Sequence, residues 1–240
     1  MRARGLLLAM GCLLAAGLAT AQEAHLSAPR IESHNKTALQ RGARLFHNYC
    51  LSCHSAHFAR YQRMGEDLGI PTEQLKANLM FTTTKPGDTM QVAMRAKDAE
   101  GWFGKPPPDL SLSARYRGQA WLYNYLKGFY QDDKRPFGVN NAVFPDVAMP
   151  HVLVNLEGLK RRVAANGKGH QEHYEQVSPG LLDEAGYDRA VRDIVAYMSY
   201  LAEPVSLKRP LLGVLVLIFL GALLILAILL KREVWKDVQH

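Results

Sequence analysis

Cysteine is scarce in this sequence, and neither sign of charge dominates its central part. Three cysteines among 240 residues are too few for a disulfide-stabilised scaffold. The net charge is +7, but residues 22–206 carry 22 basic and 20 acidic side chains, so the excess lies mostly at the two ends. No basic patch indicates a nucleic-acid partner. Internal repeats and low-complexity tracts are also absent, which leaves about 185 residues for one domain.

Long apolar runs occur only at the two ends, and the first is typical of a secretory signal peptide. Two arginines in the first four residues are followed by apolar residues 6–18 and small residues 19–21. The apolar part is too short to cross a bilayer as a first transmembrane helix. We therefore predict a signal peptide over residues 1–21 that directs export and is then removed.

The second apolar run, residues 211–230, contains no charged side chain over twenty positions. A helix of that length crosses about 30 Å of hydrocarbon, so the run predicts one transmembrane anchor. Export of the N-terminus would place the main domain outside and the short tail in the cytoplasm, in a bacterial inner membrane with the domain on the periplasmic side. The predicted segments after the signal peptide are a domain over residues 22–206, an anchor over 207–230 and a cytoplasmic tail over 231–240.

Helical periodicity is clear at both ends of the exported domain. Residues 37–49 are predicted to form a helix because apolar residues share one face and Thr37 with Gln40 resembles a capping box. A second helix is predicted over residues 188–202 and a middle one over 119–128. No segment alternates long enough to predict a strand. The fold class expected is therefore mainly α, with long glycine- and proline-rich loops at residues 85–87 and 101–108.

The two cysteines of the exported domain stand in the sequence Cys50-Leu51-Ser52-Cys53-His54. Cysteines three apart face the same way on a helical turn, so each can form a thioether with one vinyl group of a porphyrin. The adjacent histidine can then bind the iron. A redox-active dithiol, half of a zinc site and a disulfide are weaker alternatives, because the first needs a βαβ context and the second needs further ligands. We predict one covalent haem c.

The sixth ligand of such an iron decides between an electron carrier and a haem enzyme or gas sensor with an open site. Met149 is favoured because it stands in a loop ahead of the last predicted helix, beside Pro150. Met198 belongs to the apolar face of that helix and is expected in the core. The alternatives left open are His151, the other histidines, Met90 and Met94.

Taken together, several motifs resemble the cytochrome c1 family, the haem subunits of ubiquinol:cytochrome c oxidoreductase (bc1) complexes. The resemblance covers the whole mature chain and is more specific than the attachment motif alone. The motifs are Arg41-Gly42 ahead of residues 49–55, Tyr61 and Arg63; residues 107–111 with residues 115–117; Met149-Pro150; and residues 202–204 before the anchor.

The resemblance implies a class I cytochrome c-like fold in which His54 and Met149 are the axial ligands and Arg115 lies near a haem propionate. It also implies that a carbonyl of the proline-rich loop, of Pro107 or Pro108, accepts the imidazole N–H of His54. A rigid polyproline turn that packs on the ring edge is equally compatible with the sequence.

The function that the resemblance implies is a one-electron relay from a Rieske iron–sulfur protein to a soluble or tethered cytochrome c, with cytochrome b as a further partner in a dimeric complex. The chain would then be a redox subunit and not an enzyme on its own. Another anchored c-type cytochrome that donates to a terminal oxidase is the alternative. The nearly balanced charge leaves open the sign of the surface that meets the acceptor.

Overall fold

The structure is a computed structural model that describes residues 26–27, 29–163 and 173–237, so the predicted signal peptide lies outside the described residues. The helices are α1 (Lys36–Tyr49), α2 (Tyr61–Leu68), α3 (Thr72–Asn78), α4 (Ala96–Phe103), α5 (Ser113–Arg117), α6 (Gln119–Lys127), α7 (Val154–Glu157), α8 (Glu184–Ala202) and α9 (Arg209–Val234). The strands are β1 (Ala56–Arg60), β2 (Thr89–Met90), β3 (Phe129–Gln131), β4 (Val139–Asn141), β5 (Gly158–Val163) and β6 (His173–Pro179). About half of the chain is helical, with long loops, which confirms the predicted fold class.

The crossing of α1 and α8 organises the core. Helix α1 buries the face that contains Leu39, Gly42 and Phe46, as the periodicity predicted. Helix α8 buries Val191, Ile194 and neighbouring residues against it. Gly42 stands at the crossing, where the absence of a side chain lets the two backbones approach closely.

Helices α1 and α8 both begin with a side-chain cap, and in neither case is the cap at the residue where the sequence predicted the helix to start. Asn35, not Thr37, caps α1, because its side chain accepts hydrogen bonds from the backbone N–H groups of Thr37 and Ala38. Asp183 caps α8 by accepting from the N–H of Gly186. Helix α8 therefore starts four residues before the predicted position at 188, and it ends at Ala202 as predicted.

The expectation that no strand could be assigned is wrong, because the described residues contain two small sheets. One is the antiparallel pair of β1 and β2, and the other has the order β4-β3-β5-β6. In the second sheet only β3 and β5 are parallel, and β5 pairs with β6 from Gly158↔Pro179 to Val163↔His173. Every residue of β6 is exposed, so this strand shows no apolar alternation that the sequence could reveal.

The loops around the proline-rich segment position the region that lies beside the attachment motif. Helix α4 occupies residues 96–103, so only the second half of the predicted 101–108 loop is irregular. Gly104 ends this helix with φ of 76°, a left-handed conformation that glycine adopts without strain. The prolines at 106–108 then run back towards the end of α1.

Helix α9 includes the predicted transmembrane run. It is the one helix within the described residues that is long and apolar enough to cross a membrane, with a mean hydropathy of 3.2 over its most apolar window. None of that window is buried against the rest of the protein. A short helical turn at Pro204–Leu207 joins α8 to it.

Candidate functional site

The C-terminal end of α1, helices α6 and α8, and two loops surround a cavity of about 280 Å³. Cys50, Cys53, His54 and Met149 all line it, although about 95 residues separate the histidine from the methionine. Most of the other lining side chains are apolar or aromatic. The fold thus brings the attachment motif and the favoured sixth ligand to the wall of one mainly apolar cavity.

The two cysteines lie at the end of α1 and are not joined in a disulfide. Cys50 follows the helix as its C-terminal cap, and the next turn continues to His54, whose N–H donates to the Cys50 carbonyl at 2.9 Å. Burial raises the pKa of the Cys50 thiol to about 12, with a further contribution from Cys53. A neutral thiol, and not a reactive thiolate, is therefore the resting form of Cys50.

The imidazole of His54 is buried and oriented by the proline-rich loop. Its Nδ1 lies 2.7 Å from the Pro108 carbonyl oxygen, which can only accept a hydrogen bond, so Nδ1 carries the proton. Burial lowers the pKa of His54, partly offset by this bond, so the ring is neutral at physiological pH. Nε2 is then the nitrogen with a lone pair for a metal. Of the two carbonyls considered from the sequence, Pro108 makes the contact.

A small network fixes the Pro108 carbonyl against β1. The Asp109 carboxylate accepts from the backbone N–H of His57 at 2.9 Å and lies 2.6 Å from its Nδ1. The next residue, Leu110, donates its N–H to the Ser55 carbonyl at 2.8 Å. Burial raises the pKa of Asp109, but hydrogen bonds from Ser111 and His57 outweigh that effect and leave it below its usual value. The ionised carboxylate therefore holds the loop in place.

Met149 stands at the end of a loop that buried asparagines organise. Asn141 is fully buried, and its Oδ1 accepts from the N–H groups of residues 143 and 144 at 2.9 and 3.1 Å. Asn140 accepts from the N–H of Asp146, which adopts a left-handed φ of 61°. Arg135 donates to both the carboxylate and the carbonyl of Asp146, at 2.8 and 2.9 Å. These bonds hold a strained turn three residues before Met149.

The methionine side chain lies among aromatic and apolar groups at the cavity wall. It packs against the buried cluster of Phe129, Val139 and Val147. The hydroxyl of Tyr125 donates to its sulfur at 3.3 Å. Within the part of the chain that the structure describes, the Tyr125 hydroxyl is thus a hydrogen-bond donor to a thioether that otherwise packs on apolar side chains.

The other candidates for the sixth ligand lie elsewhere. Met90 is buried in the core with its sulfur 3.8 Å from the Tyr197 hydroxyl, and neither it nor Met94 lines the cavity. His151 turns away from the cavity, stacks on Phe129 with ring centroids 4.9 Å apart, and lies 2.9 Å from Glu157. Met198 is a core residue, as predicted, but it also lines the cavity.

The predicted propionate partner, Arg115, does not line the cavity, whereas Arg117 does. Both belong to the short helix α5, in which residues two apart point in nearly opposite directions. The Arg117 guanidinium lies over the Trp121 ring at 4.7 Å. Sequence reasoning missed Arg117 because the motif contains both arginines and does not tell which one faces inward. Lys105 is a second cation on the lining that sequence reasoning missed.

Two cysteines, the following histidine and a distant methionine on one apolar cavity define a c-type cytochrome. The family model described as "Cytochrome C1 family" matches residues 27–238. The chain belongs to the cytochrome c1 family, which comprises haem c-containing electron-transfer subunits of bc1 complexes.

Three relatives show how far the similarity extends. The chain is 48% identical to "Cytochrome c1" of Allochromatium vinosum, over 98% of this chain and 99% of the relative. It is also 48% identical to "Ammonia monooxygenase gamma subunit" of Nitrosomonas europaea, over 90% of each chain. "Cytochrome c1" of Rhodospirillum rubrum is 28% identical, over 86% of this chain and 84% of the relative. The similarity to the first of these relatives thus extends over nearly the whole of both chains.

Proposed function

We propose that this protein is the mono-haem electron-transfer subunit of a bc1 complex and passes single electrons from a Rieske iron–sulfur protein to a cytochrome c. The observation that carries the proposal is the convergence of Cys50, Cys53, His54 and Met149 on one cavity. The chain itself makes and breaks no bond in this relay and is not an enzyme on its own.

The residues present fit a covalent haem c. Both thiols are free to form thioethers, and His54 offers Nε2 because Pro108 occupies Nδ1. Met149 offers a thioether sulfur from the same cavity as the histidine. When bound, the haem supplies an iron that gains and loses one electron. The chain's part would be to supply His54 and Met149 as two ligands of the iron, which would leave no position for a substrate, and to surround the iron with low polarity, which would raise its reduction potential.

Arg117 is the residue that we propose for a haem propionate, in place of Arg115. Its guanidinium lies at the cavity and can form two parallel hydrogen bonds with a carboxylate. Lys105 provides a second positive charge at the same opening, near the Phe144 ring at 5.9 Å. Two cations beside two carboxylates would leave this edge of the site close to neutral.

Helix α9 is proposed as the single anchor of the mature protein. Its charge-free run and the predicted signal peptide together support a haem domain on the periplasmic side of a bacterial inner membrane and a cytoplasmic tail. Cytochrome b and the Rieske protein would be its partners within the membrane, in a dimeric complex, and the acceptor cytochrome c would approach from the periplasm.

Carbon monoxide binding tests whether Met149 fills the sixth position. Met149→Leu should keep the covalent haem but open the iron, so reduced protein should bind carbon monoxide that the wild type excludes. Met80→Leu is the matched control, because Met80 is a buried core residue that does not line the cavity and a leucine of similar volume costs less than about 1.5 kcal/mol there. A Met149→Leu protein with the wild-type spectrum would refute the assignment.

A further inference from the structure

The loop that contacts the His54 imidazole is fastened to the segment that directly follows this histidine. Three hydrogen bonds join the two stretches of chain: the N–H of Leu110 donates to the Ser55 carbonyl at 2.8 Å, the N–H of His57 to the Asp109 carboxylate at 2.9 Å, and the N–H of Phe58 to the Ser111 hydroxyl at 3.1 Å. The Pro108 carbonyl and the His54 ring are therefore positioned against each other by one pair of segments.

The carboxylate of Asp109 is the charged group in this contact. Its Oδ2 accepts from the N–H of His57 and lies 2.6 Å from the imidazole Nδ1 of the same residue, and its Oδ1 accepts from the N–H of Ser111 at 2.8 Å. Although burial raises the pKa of Asp109, these hydrogen bonds keep it below its usual value, so the carboxylate is ionised. A negative charge thus stands on the residue next to the carbonyl that meets His54.

We propose that Asp109 is a positioning residue of the haem site, which holds the Pro108 carbonyl on His54 and lowers the reduction potential of the haem by its fixed negative charge. The inference rests on the proposed function, because it assumes that His54 binds the iron. Asp109 itself does not line the cavity, whereas Pro108 and Leu110 on either side of it do.

Both effects of Asp109 favour oxidised iron. A carbonyl that accepts the Nδ1–H of a ligand histidine makes Nε2 a stronger electron donor, and oxidised iron gains more from such a donor than reduced iron does. The carboxylate charge also acts on the His54 ring itself. Because oxidised iron carries one more positive charge, a nearby anion stabilises it more than it stabilises reduced iron. Asp109 therefore opposes the rise in potential that the apolar cavity produces.

Asp109→Asn tests the charge in the full-length, haem-loaded protein. Asparagine has nearly the same shape and keeps one of the two accepting oxygens, while the bonds of Leu110 and Phe58 to the facing segment remain. We expect a higher midpoint potential, with the electron-exchange equilibrium against a redox mediator shifted towards the reduced protein by a factor on the order of five. A general loosening that admits water to the haem would lower the potential instead.

Asp109→Ala tests the positioning, because it removes every hydrogen bond of this side chain. The Nδ1–H of His54 should then exchange with solvent faster than in wild type or in Asp109→Asn, as measured by NMR of the reduced protein. The midpoint potential should rise at least as far as in Asp109→Asn. A wild-type rate of Nδ1–H exchange in Asp109→Ala would overturn the positioning role.

Asp98→Asn is the matched control for the charge. Its side chain is 30% exposed against 34% for Asp109, and it is also hydrogen-bonded, to Arg95 at 2.6 Å, but neither Asp98 nor the residues beside it line the cavity. Its midpoint potential should equal that of the wild type. An unchanged or lowered potential in Asp109→Asn, or an equal rise in Asp98→Asn, would overturn the inference. A wild-type protein without covalent haem, or with an iron that lacks a histidine ligand in its spectrum, would refute the proposed function instead.

Discussion

The backbones of Gly42 and Asp193 approach so closely that a Cβ on Gly42 would lie 2.0 Å from the Asp193 carbonyl oxygen. The same crossing carries a two-point ion pair, in which Arg41 Nε and Nη2 donate to the Asp193 carboxylate at 2.6 and 2.9 Å. The contact between α1 and α8 thus combines a glycine that permits the approach with a neighbouring arginine that sets its register.

Gly42→Ala should therefore destabilise the protein by about 3 kcal/mol or more, because the added methyl meets backbone that cannot rotate away. Chemical denaturation would measure the loss. Gly101→Ala is the control, since Gly101 lies within α4 and a methyl added there would have no neighbouring atom within 4 Å, so the same change should stabilise by about 0.5 to 1 kcal/mol. Equal effects at both positions would contradict the close crossing.

Replacing both Cys50 and Cys53 by alanine should leave the polypeptide without covalent haem. These are the thiols that line the cavity, and the third cysteine, Cys12, lies in the predicted signal peptide. Haem staining of a denaturing gel measures attachment directly. Ser52→Ala should stain like wild type, because Ser52 lies between the cysteines without facing the cavity. A double variant that stains at full intensity would show that attachment takes place elsewhere.

Arg117→Gln should lower the midpoint potential, because a cation beside the haem favours the reduced state. The shift should correspond to a free energy on the order of 1 kcal/mol. Arg115→Gln, two residues away on the same helix, should have a much smaller effect because its side chain does not reach the cavity. Potentiometric titration of both variants compares them. A larger shift of the potential in Arg115→Gln than in Arg117→Gln would show that Arg115 lies beside the propionate, as the family resemblance implied.

His47 should make the protein sensitive to mild acid. The ring is buried beside Tyr61 and Tyr197, its Nδ1 donates to the Ala43 carbonyl at 2.7 Å, and Nε2 has no partner among the described residues. Burial lowers its pKa from 6.5 to about 4. The unfolded chain therefore binds a proton that the folded protein rejects, so stability falls as the pH drops from about 6.5 towards 4, by about 3 kcal/mol in total.

Urea denaturation at several pH values measures this loss. In His47→Gln the loss of stability between about pH 6.5 and 4 should disappear, because glutamine does not titrate. The loss of stability below about pH 4, which comes from carboxylates such as Asp188, should remain. A His47→Gln protein that retains the full wild-type slope would show that another group is responsible.

Truncation after Lys208 should release a soluble haem domain. The apolar part of α9 buries nothing against the domain, so its removal exposes no core. The cut is made after Lys208 because Leu207 packs against the core, one residue beyond the predicted domain limit at 206. Fractionation of cells that lack the partner subunits compares the fragment with the full chain, which should stay in the membrane. A fragment that remains in the membrane would show a second point of attachment.

The parts of the fold that sequence could predict are those with a local cause. Helices α1, α6 and α8 have periodic apolar faces, and their predicted bounds were close to those observed. Strands β5 and β6 have no such pattern, because they are polar and are held by hydrogen bonds to each other and to β3. Their pairing depends on residues that are distant in the sequence, which a local pattern cannot show.

The candidate site likewise has some features that the sequence could predict and others that it could not. The attachment motif is local and its residues meet at one turn. Met149 was favoured from its loop position beside Pro150 and more strongly through the family resemblance, whereas the contact of Pro108 with His54 and the position of Arg117 on the cavity depend on the tertiary structure. Which carbonyl meets His54 depends on the Asp109 network that docks the loop. Which arginine faces the cavity depends on where α5 starts, and its N-terminal cap residue, Leu112, makes no side-chain capping bond.

The pairing of Arg41 with Asp193 joins positions 152 residues apart, and this separation determines the order in which the site can be assembled. In an exported chain the cysteines at 50 and 53 would cross the membrane long before α8. They would therefore be accessible to the attachment machinery before α8 has formed its side of the cavity. Contacts of such long sequence separation form late and slowly in folding. The haem would then be attached covalently while the chain is still unfolded. Helix α8 and the Met149 loop would pack over it in the last step of folding.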